Sequence, residues 1–112
     1  HRLDNNAKAL FEKVSAYIHE HYMEPLSIHE LARQNGVDEN RLYYVFQKYA
    51  GMGAGQYLTS YRLNRSREML KNGAASISEI AKSVGYSDPL YFSRAFHKRF
   101  GVSPSTAKRV QE

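Results

Sequence analysis

The sequence has 112 residues, a length that suits one domain or two very small ones. Sixteen Lys or Arg against eleven Asp or Glu give a formal net charge of +5, and 42% of the residues are apolar, enough for a helical core. The absence of Cys excludes a disulfide framework and thiol chemistry, and it fits a cytoplasmic location. No stretch is apolar enough to cross a membrane, and the first residues lack the apolar core of a signal peptide.

Charge is divided unequally along the sequence. Residues 1–40 hold four Lys or Arg against seven Asp or Glu, whereas residues 41–112 hold twelve against four. A basic segment of this kind favours a polyanionic partner such as a nucleic acid. A solvated basic surface would have the same composition, so charge alone leaves both interpretations open.

Apolar residues at helical spacing begin near the N-terminus. From Asn6 to Met23 they recur every three or four positions, which predicts an amphipathic helix. Pro25 predicts its end, because the residue before a proline is disfavoured in the helical conformation. After Leu26 only helical periods appear, separated by glycines, and no segment alternates apolar and polar residues for the length of a strand. The sequence therefore predicts an all-α fold.

A ten-residue pattern occurs twice. Ser27–Gly36 reads SIHELARQNG and Ser76–Gly85 reads SISEIAKSVG. In each copy a Ser is followed three residues later by a Glu, the pattern of a capping box in which each side chain accepts from the other residue's backbone N–H. The glycine at the end can take the left-handed conformation that a tight turn after a helix requires. Each copy therefore predicts a short helix followed by a turn.

A second helix follows each of these turns. Asp38 and Asp88 stand at its N-cap position, and Pro89 comes next in the second copy, where a missing N–H costs little. Gly51 and Gly101 end the two helices, and the spacing predicts that the second turn is one residue longer than the first. Helix, short turn and helix, occurring twice, indicates two helix-turn-helix units. The alternative is a plain four-helix assembly without a DNA role.

A further helix is predicted between the two units. Residues 56–72 have helical periodicity and precede Gly73. Their candidate buried stripe is Tyr57, Leu58, Tyr61, Leu63, Ser66, Met69 and Leu70. A helix of this length spans roughly 25 Å at ~1.5 Å per residue, and successive major-groove faces of B-DNA lie about 34 Å apart. With the bodies of the two units, it is long enough to place recognition helices in adjacent major grooves.

The predicted architecture therefore has three parts and about seven helices. Residues 1–53 form a first helix-turn-helix subdomain, residues 54–73 a linker helix, and residues 74–112 a second helix-turn-helix subdomain.

A long motif covers the second unit. Residues 85–104 read GYSDPLYFSRAFHKRFGVSP, and the first unit contributes a Pro-Leu-Ser start and the spacing Leu42, Phe46, Gly51. From about Ala7 to Lys108 the sequence resembles the DNA-binding domain of the AraC/XylS family of bacterial transcription regulators. It departs from the family pattern at three places: His97 for the usual Lys, Ser66 for a frequent Ala, and Ala107-Lys108 for an aromatic residue and Arg.

The resemblance implies a sequence-specific double-stranded DNA-binding domain of a bacterial transcription regulator, often an activator that contacts RNA polymerase. Most members of the family carry a separate sensing or dimerisation domain. Such a domain is therefore expected in the full-length protein, and the absence of an initiator Met fits a fragment.

The second helix of each unit supplies the candidate DNA contacts, because recognition helices enter the major groove with their N-terminal turns nearest the bases. The apolar positions of these helices are assigned to the core, which leaves one face free. The candidate base contacts are Asn40, Arg41, Tyr43, Tyr44 and Gln47, and Leu90, Tyr91, Ser93, Arg94 and His97. The candidate phosphate contacts are Ser27, Lys48, Arg62, Ser76, Lys98, Arg99 and Ser103.

Side-chain chemistry assigns different roles to these candidates. Arg94 is predicted to bind guanine O6 and N7 together, with a phosphate contact or a salt bridge to Asp88 as the alternative. Asn40 suits adenine or a local cap, and Gln47 suits a base or a phosphate.

The remaining candidates are apolar groups and helix ends. Tyr43, Tyr44 and Leu90 suit thymine methyl groups or sugars, with partial burial in the protein as the alternative. The N-termini of the helices that start at Ser27, Ala54, Ser76 and Ser103 offer backbone N–H groups to phosphates.

Three other classes of function fit the sequence less well. An enzyme is not predicted, because the five His residues are scattered and no phosphate loop or nucleophile motif occurs. No metal or other cofactor is predicted either, since His19 and His21 point to different faces of a helix. A helical protein-interaction module without direct DNA readout is the stronger alternative, and the acidic first helix suits it. RNA is less favoured, because the A-form major groove does not admit a helix.

Overall fold

The computed structural model describes residues 2–73 and 75–111, with side chains described for residues 5–73 and 75–108. Within these ranges the chain forms seven α-helices and no strand. The helices are α1 (Arg2–His21), α2 (Ile28–Gln34), α3 (Glu39–Ala50), α4 (Ala54–Asn72), α5 (Ile77–Ser83), α6 (Pro89–Phe100) and α7 (Pro104–Gln111). The prediction of an all-α fold with about seven helices is confirmed.

The chain divides into two compact units, His1–Thr59 and Ser60–Glu112. In the first unit α1 and α2 pack against α3, and in the second α5 and α7 pack against α6. Each unit thus contains one helix-turn-helix pair, α2 with α3 and α5 with α6. The predicted linker range corresponds to α4 and Gly73. The division into three parts stays a prediction, since α4 contributes residues to both units.

The first unit is held together by an apolar core beneath α3. Its buried members include Val14, Ile18, Leu31, Ala32, Leu42, Val45 and Phe46. The ring of Phe11 meets that of Phe46 edge-on, with 4.9 Å between centroids, and stacks on Tyr49 at 5.4 Å. Aromatic pairs in such arrangements add about 0.5–1.5 kcal/mol beyond the area they bury. This packing turns the opposite face of α3 outward.

The second unit has a comparable core beneath α6. Its buried members include Leu63, Leu70, Ile80, Ala81, Val84, Phe92, Phe96 and Pro104. Ser66 is fully buried among them, and its hydroxyl donates to the Leu63 carbonyl at 2.7 Å. This hydrogen bond satisfies the hydroxyl, so a Ser is accommodated where the family often has Ala. The last helix, α7, forms despite the departure at Ala107-Lys108, and Lys108 Nζ donates to the Ala75 carbonyl at 3.0 Å.

The predicted caps and turns of the two helix-turn-helix units are confirmed. Asp38 Oδ1 accepts from the Arg41 N–H at 2.8 Å, and Asp88 Oδ1 accepts from the Leu90 N–H at 3.0 Å. The turn glycines, Gly36 and Gly85, have φ angles of 70° and 103°, which a residue with a Cβ rarely adopts. Five residues separate α5 from α6 and four separate α2 from α3, as the spacing predicted.

The two predicted capping boxes differ. At Ser76 the box is complete: Ser76 Oγ accepts from the Glu79 N–H at 3.1 Å, and Glu79 Oε1 accepts from the Ser76 N–H at 3.0 Å. At Ser27 only half of the box forms, because Oγ accepts from the Glu30 N–H at 3.2 Å while the Glu30 carboxylate binds the guanidinium of Arg33. The prediction of a second complete box was wrong because a charged donor one turn along α2 takes the carboxylate.

Replacing Ser76 with Ala is expected to lower the free energy of unfolding by about 1 kcal/mol, the usual cost of losing a helix N-cap. Ser27→Ala is the matched variant in the first copy and should cost about as much, because each substitution removes a single side-chain oxygen that accepts from a backbone N–H. Urea unfolding of both variants measures the losses, and a loss well below about 0.5 kcal/mol for Ser76→Ala would contradict the assignment.

The contribution of this capping box should also depend on pH. The Ser76 backbone and side chain lower the pKa of the Glu79 carboxyl below its ordinary value. A lowered pKa in the folded state means that the stabilisation is present above the ordinary pKa and is lost as the pH falls through the lowered one. The complete box is therefore intact at neutral pH.

Candidate nucleic-acid interface

The core determines which side of α3 faces the solvent. Leu42, Val45 and Phe46 are buried. The opposite side exposes all six polar and aromatic candidates on this helix: Asn40, Arg41, Tyr43, Tyr44, Gln47 and Lys48. Tyr44 is 67% exposed and Tyr43 is 48% exposed. Tyr44 is therefore not partly buried in the protein, which was the alternative to a DNA contact for this aromatic side chain.

The outward side of α6 has the same construction. Phe92 and Phe96 are buried, and five candidates are exposed: Leu90, Tyr91, Arg94, His97 and Lys98. Ser93 is intermediate between buried and exposed. Leu90 and Tyr91 are 58% and 65% exposed, so large apolar groups lie in water at the N-terminal end of this helix.

The two exposed faces correspond residue by residue. Both helices contain 12 residues and end at a glycine in the left-handed conformation, Gly51 or Gly101. The same offset in sequence pairs Asn40 with Leu90, Arg41 with Tyr91, Tyr43 with Ser93, Tyr44 with Arg94, Gln47 with His97, and Lys48 with Lys98. Only the lysine is common to the two faces. The units therefore present one shared cation and otherwise different chemistry.

Arg94 lies near the middle of the α6 face, one turn after Leu90 and one turn before Lys98. Among the residues that the structure describes, no hydrogen bond or ion pair holds its guanidinium. Asp88, the alternative partner, instead accepts from the Leu90 N–H and caps α6. The guanidinium fork is thus available to a ligand outside the protein.

A groove of about 500 Å³ borders the α3 face on the side of α4. Its lining comprises Ile28, Glu39, Asn40, Tyr43, Gln47 and the residues 53–56. On this edge Gln47 Nε2 donates to the Tyr43 hydroxyl oxygen at 3.0 Å. The amide of Gln47 therefore has a fixed neighbour one turn away, which sequence reasoning did not find.

The serine candidates for phosphate contact are all helix caps. The hydroxyl oxygens of Ser27, Ser76 and Ser103 accept from the backbone N–H groups of the residues three positions later, Glu30, Glu79 and Thr106, at 3.1–3.2 Å. Their structural role is therefore accounted for by the helices that they begin. Lys48 and Lys98, by contrast, are exposed on the two outward faces.

The arginine candidates for phosphate contact are held by neighbours in the second unit. Arg99 donates through Nε and Nη2 to Asn64 Oδ1 at 3.2 and 3.1 Å, and its guanidinium lies 5.3 Å from the centroid of Phe100. Arg62 is half-buried, and this burial lowers the pKa of its guanidinium while Tyr86 opposes the shift. No local pattern signals the Arg99–Asn64 contact, since the two residues are 35 positions apart.

Comparison with known proteins identifies the arrangement. The family model described as "Helix-turn-helix domain" matches residues 31–109. A solved transcriptional regulator of Chromobacterium violaceum, described as having an AraC-type DNA-binding domain, superposes with a TM-score of 0.83. The two chains are 25% identical, and the match covers 96% of each. The chain belongs to the AraC-type helix-turn-helix family.

Longer regulators contain sequences similar to this AraC-type domain. The Msm operon regulatory protein of Streptococcus mutans is 35% identical over 95% of this chain and 38% of its own length. The Lactose operon transcription activator of Staphylococcus xylosus is 33% identical over 80% of this chain and 32% of its own length. The chain thus spans less than two-fifths of the length of either relative.

Family membership determines the class of function. An AraC-type helix-turn-helix domain is a DNA-binding domain of a transcription regulator, so double-stranded DNA is the partner of this one. The protein-interaction alternative is not favoured.

None of the described helices is long and apolar enough to cross a membrane. In the same part of the chain, no three His, Asp or Glu side chains converge as metal ligands.

Proposed function

We propose that this domain reads a specific DNA sequence, with α3 and α6 as recognition helices in two adjacent major grooves. The observation that carries the proposal is the outward face of α6, where Arg94 has no partner in the described part of the chain. An arginine fork matches guanine O6 and N7 in the major groove. The length of α4, 19 residues or roughly 28 Å, supports the use of neighbouring grooves.

The two units would read DNA unequally. Arg94 binds a guanine in the groove of α6, whereas its counterpart on α3 is Tyr44, which has no fork of N–H groups. The exposed ring of Tyr44 instead suits the methyl group of thymine or a sugar. The remaining base candidates on α3 are Asn40, Arg41, Tyr43 and Gln47, and those on α6 are Leu90, Tyr91, Ser93 and His97.

Phosphate contacts would set the register of the domain on the duplex without adding sequence information. The lysine that both faces share, Lys48 or Lys98, is the clearest candidate because its position relative to the terminal glycine is the same in both units. Arg62, Arg99 and the helix N-termini at Ser27, Ser76 and Ser103 complete the proposed set.

For the whole protein, we propose a cytoplasmic bacterial transcription activator without catalytic activity of its own. The relatives named above are operon regulators, one of them an activator. They are also much longer than this chain, which supports a further sensing or dimerisation domain. RNA polymerase is the proposed protein partner.

Selection of bound sequences from a random duplex pool tests the proposed function. The expected result is two conserved motifs about one helical turn apart, one of them containing the guanine that Arg94 reads. Binding to random duplex should fall steeply as salt rises, because neutralised phosphates release counterions. Indifference to DNA at low salt would reject the proposal and favour a protein partner.

Replacing Lys98 with Ala is expected to weaken binding to selected and random duplexes equally and to reduce the slope of log K against log salt by about one. The reason is that one phosphate contact is lost while base readout is retained. Lys13→Ala on α1 is the matched control: it removes the same charge outside the two outward faces and should leave the slope unchanged. A wild-type slope for Lys98→Ala would remove this residue from the phosphate set.

A further inference from the structure

Tyr43 is held in place although about half of the residue is exposed. The Cδ2–Cε2 edge of the ring lies against Gly53, where an added Cβ would be 2.7 Å from Cδ2 and 3.0 Å from Cε2. The ring also meets that of Tyr44 edge-on, with 5.4 Å between centroids. Position 53 must therefore lack a side chain for Tyr43 to occupy this place.

The hydroxyl of Tyr43 is the neighbour of the Gln47 amide. Gln47 Nε2 donates to it at 3.0 Å, one helical turn away. A Gln amide has two N–H donors and one carbonyl acceptor, so within the described part of the chain this bond leaves one N–H and the carbonyl oxygen without a partner. These are the two groups that bind N7 and the N6 amino group of adenine together. A phosphate offers acceptors only and would leave the carbonyl oxygen unused.

We propose that Tyr43 is a positioning residue that orients the amide of Gln47 toward an adenine, and that Gly53 provides the space that this requires. This inference rests on the proposed function, since it takes α3 as a recognition helix. The physical reason is preorganisation: a long Gln side chain loses rotamer freedom when it binds, and a side chain already held in position loses less.

Three variants test the coupling: Gln47→Ala, Tyr43→Phe and the double variant. Binding is measured by competition on the selected site, with all four base pairs tested at each position of the α3 half. Gln47→Ala should reduce the preference for one adenine by about tenfold or more, the usual discrimination of a bidentate contact. Tyr43→Phe keeps the ring and should reduce the same preference by about threefold to tenfold. The double variant should lose no more than Gln47→Ala does.

A pair of glycine variants tests the position of the Tyr43 ring without changing the chemistry of the Tyr43 hydroxyl or the Gln47 amide. Gly53→Ala displaces the ring of Tyr43 but leaves the Tyr hydroxyl and the Gln amide chemically intact. Gly55→Ala, two residues later, is the control, because its Cβ would meet Ile28 Cγ1 at 3.8 Å, an ordinary contact. Gly53→Ala should show the same loss of adenine preference as Tyr43→Phe, and Gly55→Ala should retain it.

Two readouts distinguish this positioning role from a structural one. Tyr43→Phe should keep the wild-type melting temperature, and its loss of preference should be confined to the one base pair that Gln47 reads. A Tyr43→Phe variant that retains the full adenine preference overturns the inference and leaves the proposed function intact, provided that Arg94 still reads its guanine. Gln47→Ala without effect on any base preference also overturns it. A wild-type domain that binds no duplex overturns both proposals.

Discussion

Replacement of Arg94 by Ala is expected to weaken binding to a selected DNA site by about 1–3 kcal/mol and to relax base preference at one base pair. In the described part of the chain, no acidic group or carbonyl competes for the guanidinium. The potential competitor, Asp88, is occupied by the backbone at the start of α6. Fluorescence anisotropy on the selected site and on duplexes that vary each base pair measures both effects.

Two variants serve as controls for Arg94. Arg94→Lys keeps the positive charge but loses the planar fork, so it should lose most of the guanine preference and little affinity for random duplex. Tyr44→Ala removes the side chain at the equivalent place on α3 and should leave the base pair read by Arg94 unaffected. If Arg94→Ala weakens specific and random duplexes equally, its contact is to phosphate and the base-reading role is wrong.

Replacement of Phe46 by Ala is expected to lower the free energy of unfolding by about 3–5 kcal/mol, the range for a fully buried Phe. The side chain is 0% exposed, and its ring lies 4.9 Å from that of Phe11 and 5.2 Å from that of Tyr57. These contacts join α1, α3 and α4 within the first unit. Loss of the ring should therefore loosen α3 and reduce DNA binding through the first unit.

Chemical denaturation followed by circular dichroism measures this loss of stability. Tyr44→Ala is the control on the same helix, and its effect should stay within about 0.5 kcal/mol because the ring is largely in solvent. Phe96→Ala makes the corresponding change in the second unit and should be about as destabilising as Phe46→Ala. A cost below about 1 kcal/mol for Phe46→Ala would show that the core beneath α3 collapses around the gap.

Much of the fold was predictable because its signals are local in the sequence. A helix cap acts over three residues, a left-handed turn needs one glycine, and an apolar face repeats every three or four positions. The ends of α3 and α6 at Gly51 and Gly101 follow from such signals, as does the outward face of each helix. Once Leu42, Val45 and Phe46 are assigned to the core, helical geometry alone places Tyr44 outside.

Tertiary structure decided what the exposed side chains do. The motif allowed a complete capping box at Ser27, but the Glu30 carboxylate binds Arg33 instead. Nothing in the sequence indicated that Arg99 is held by Asn64 or that Gly53 makes room for Tyr43, because these partners meet only after the helices pack.

The sequence by itself therefore determined the helices, their order and the two faces that α3 and α6 turn outward. The structure determined which groups on those faces already have a partner and which are available for DNA. The spacing of apolar residues and the capping of a helix depend on neighbours within one turn along the chain. The pairing of a polar side chain depends on groups that only folding brings together.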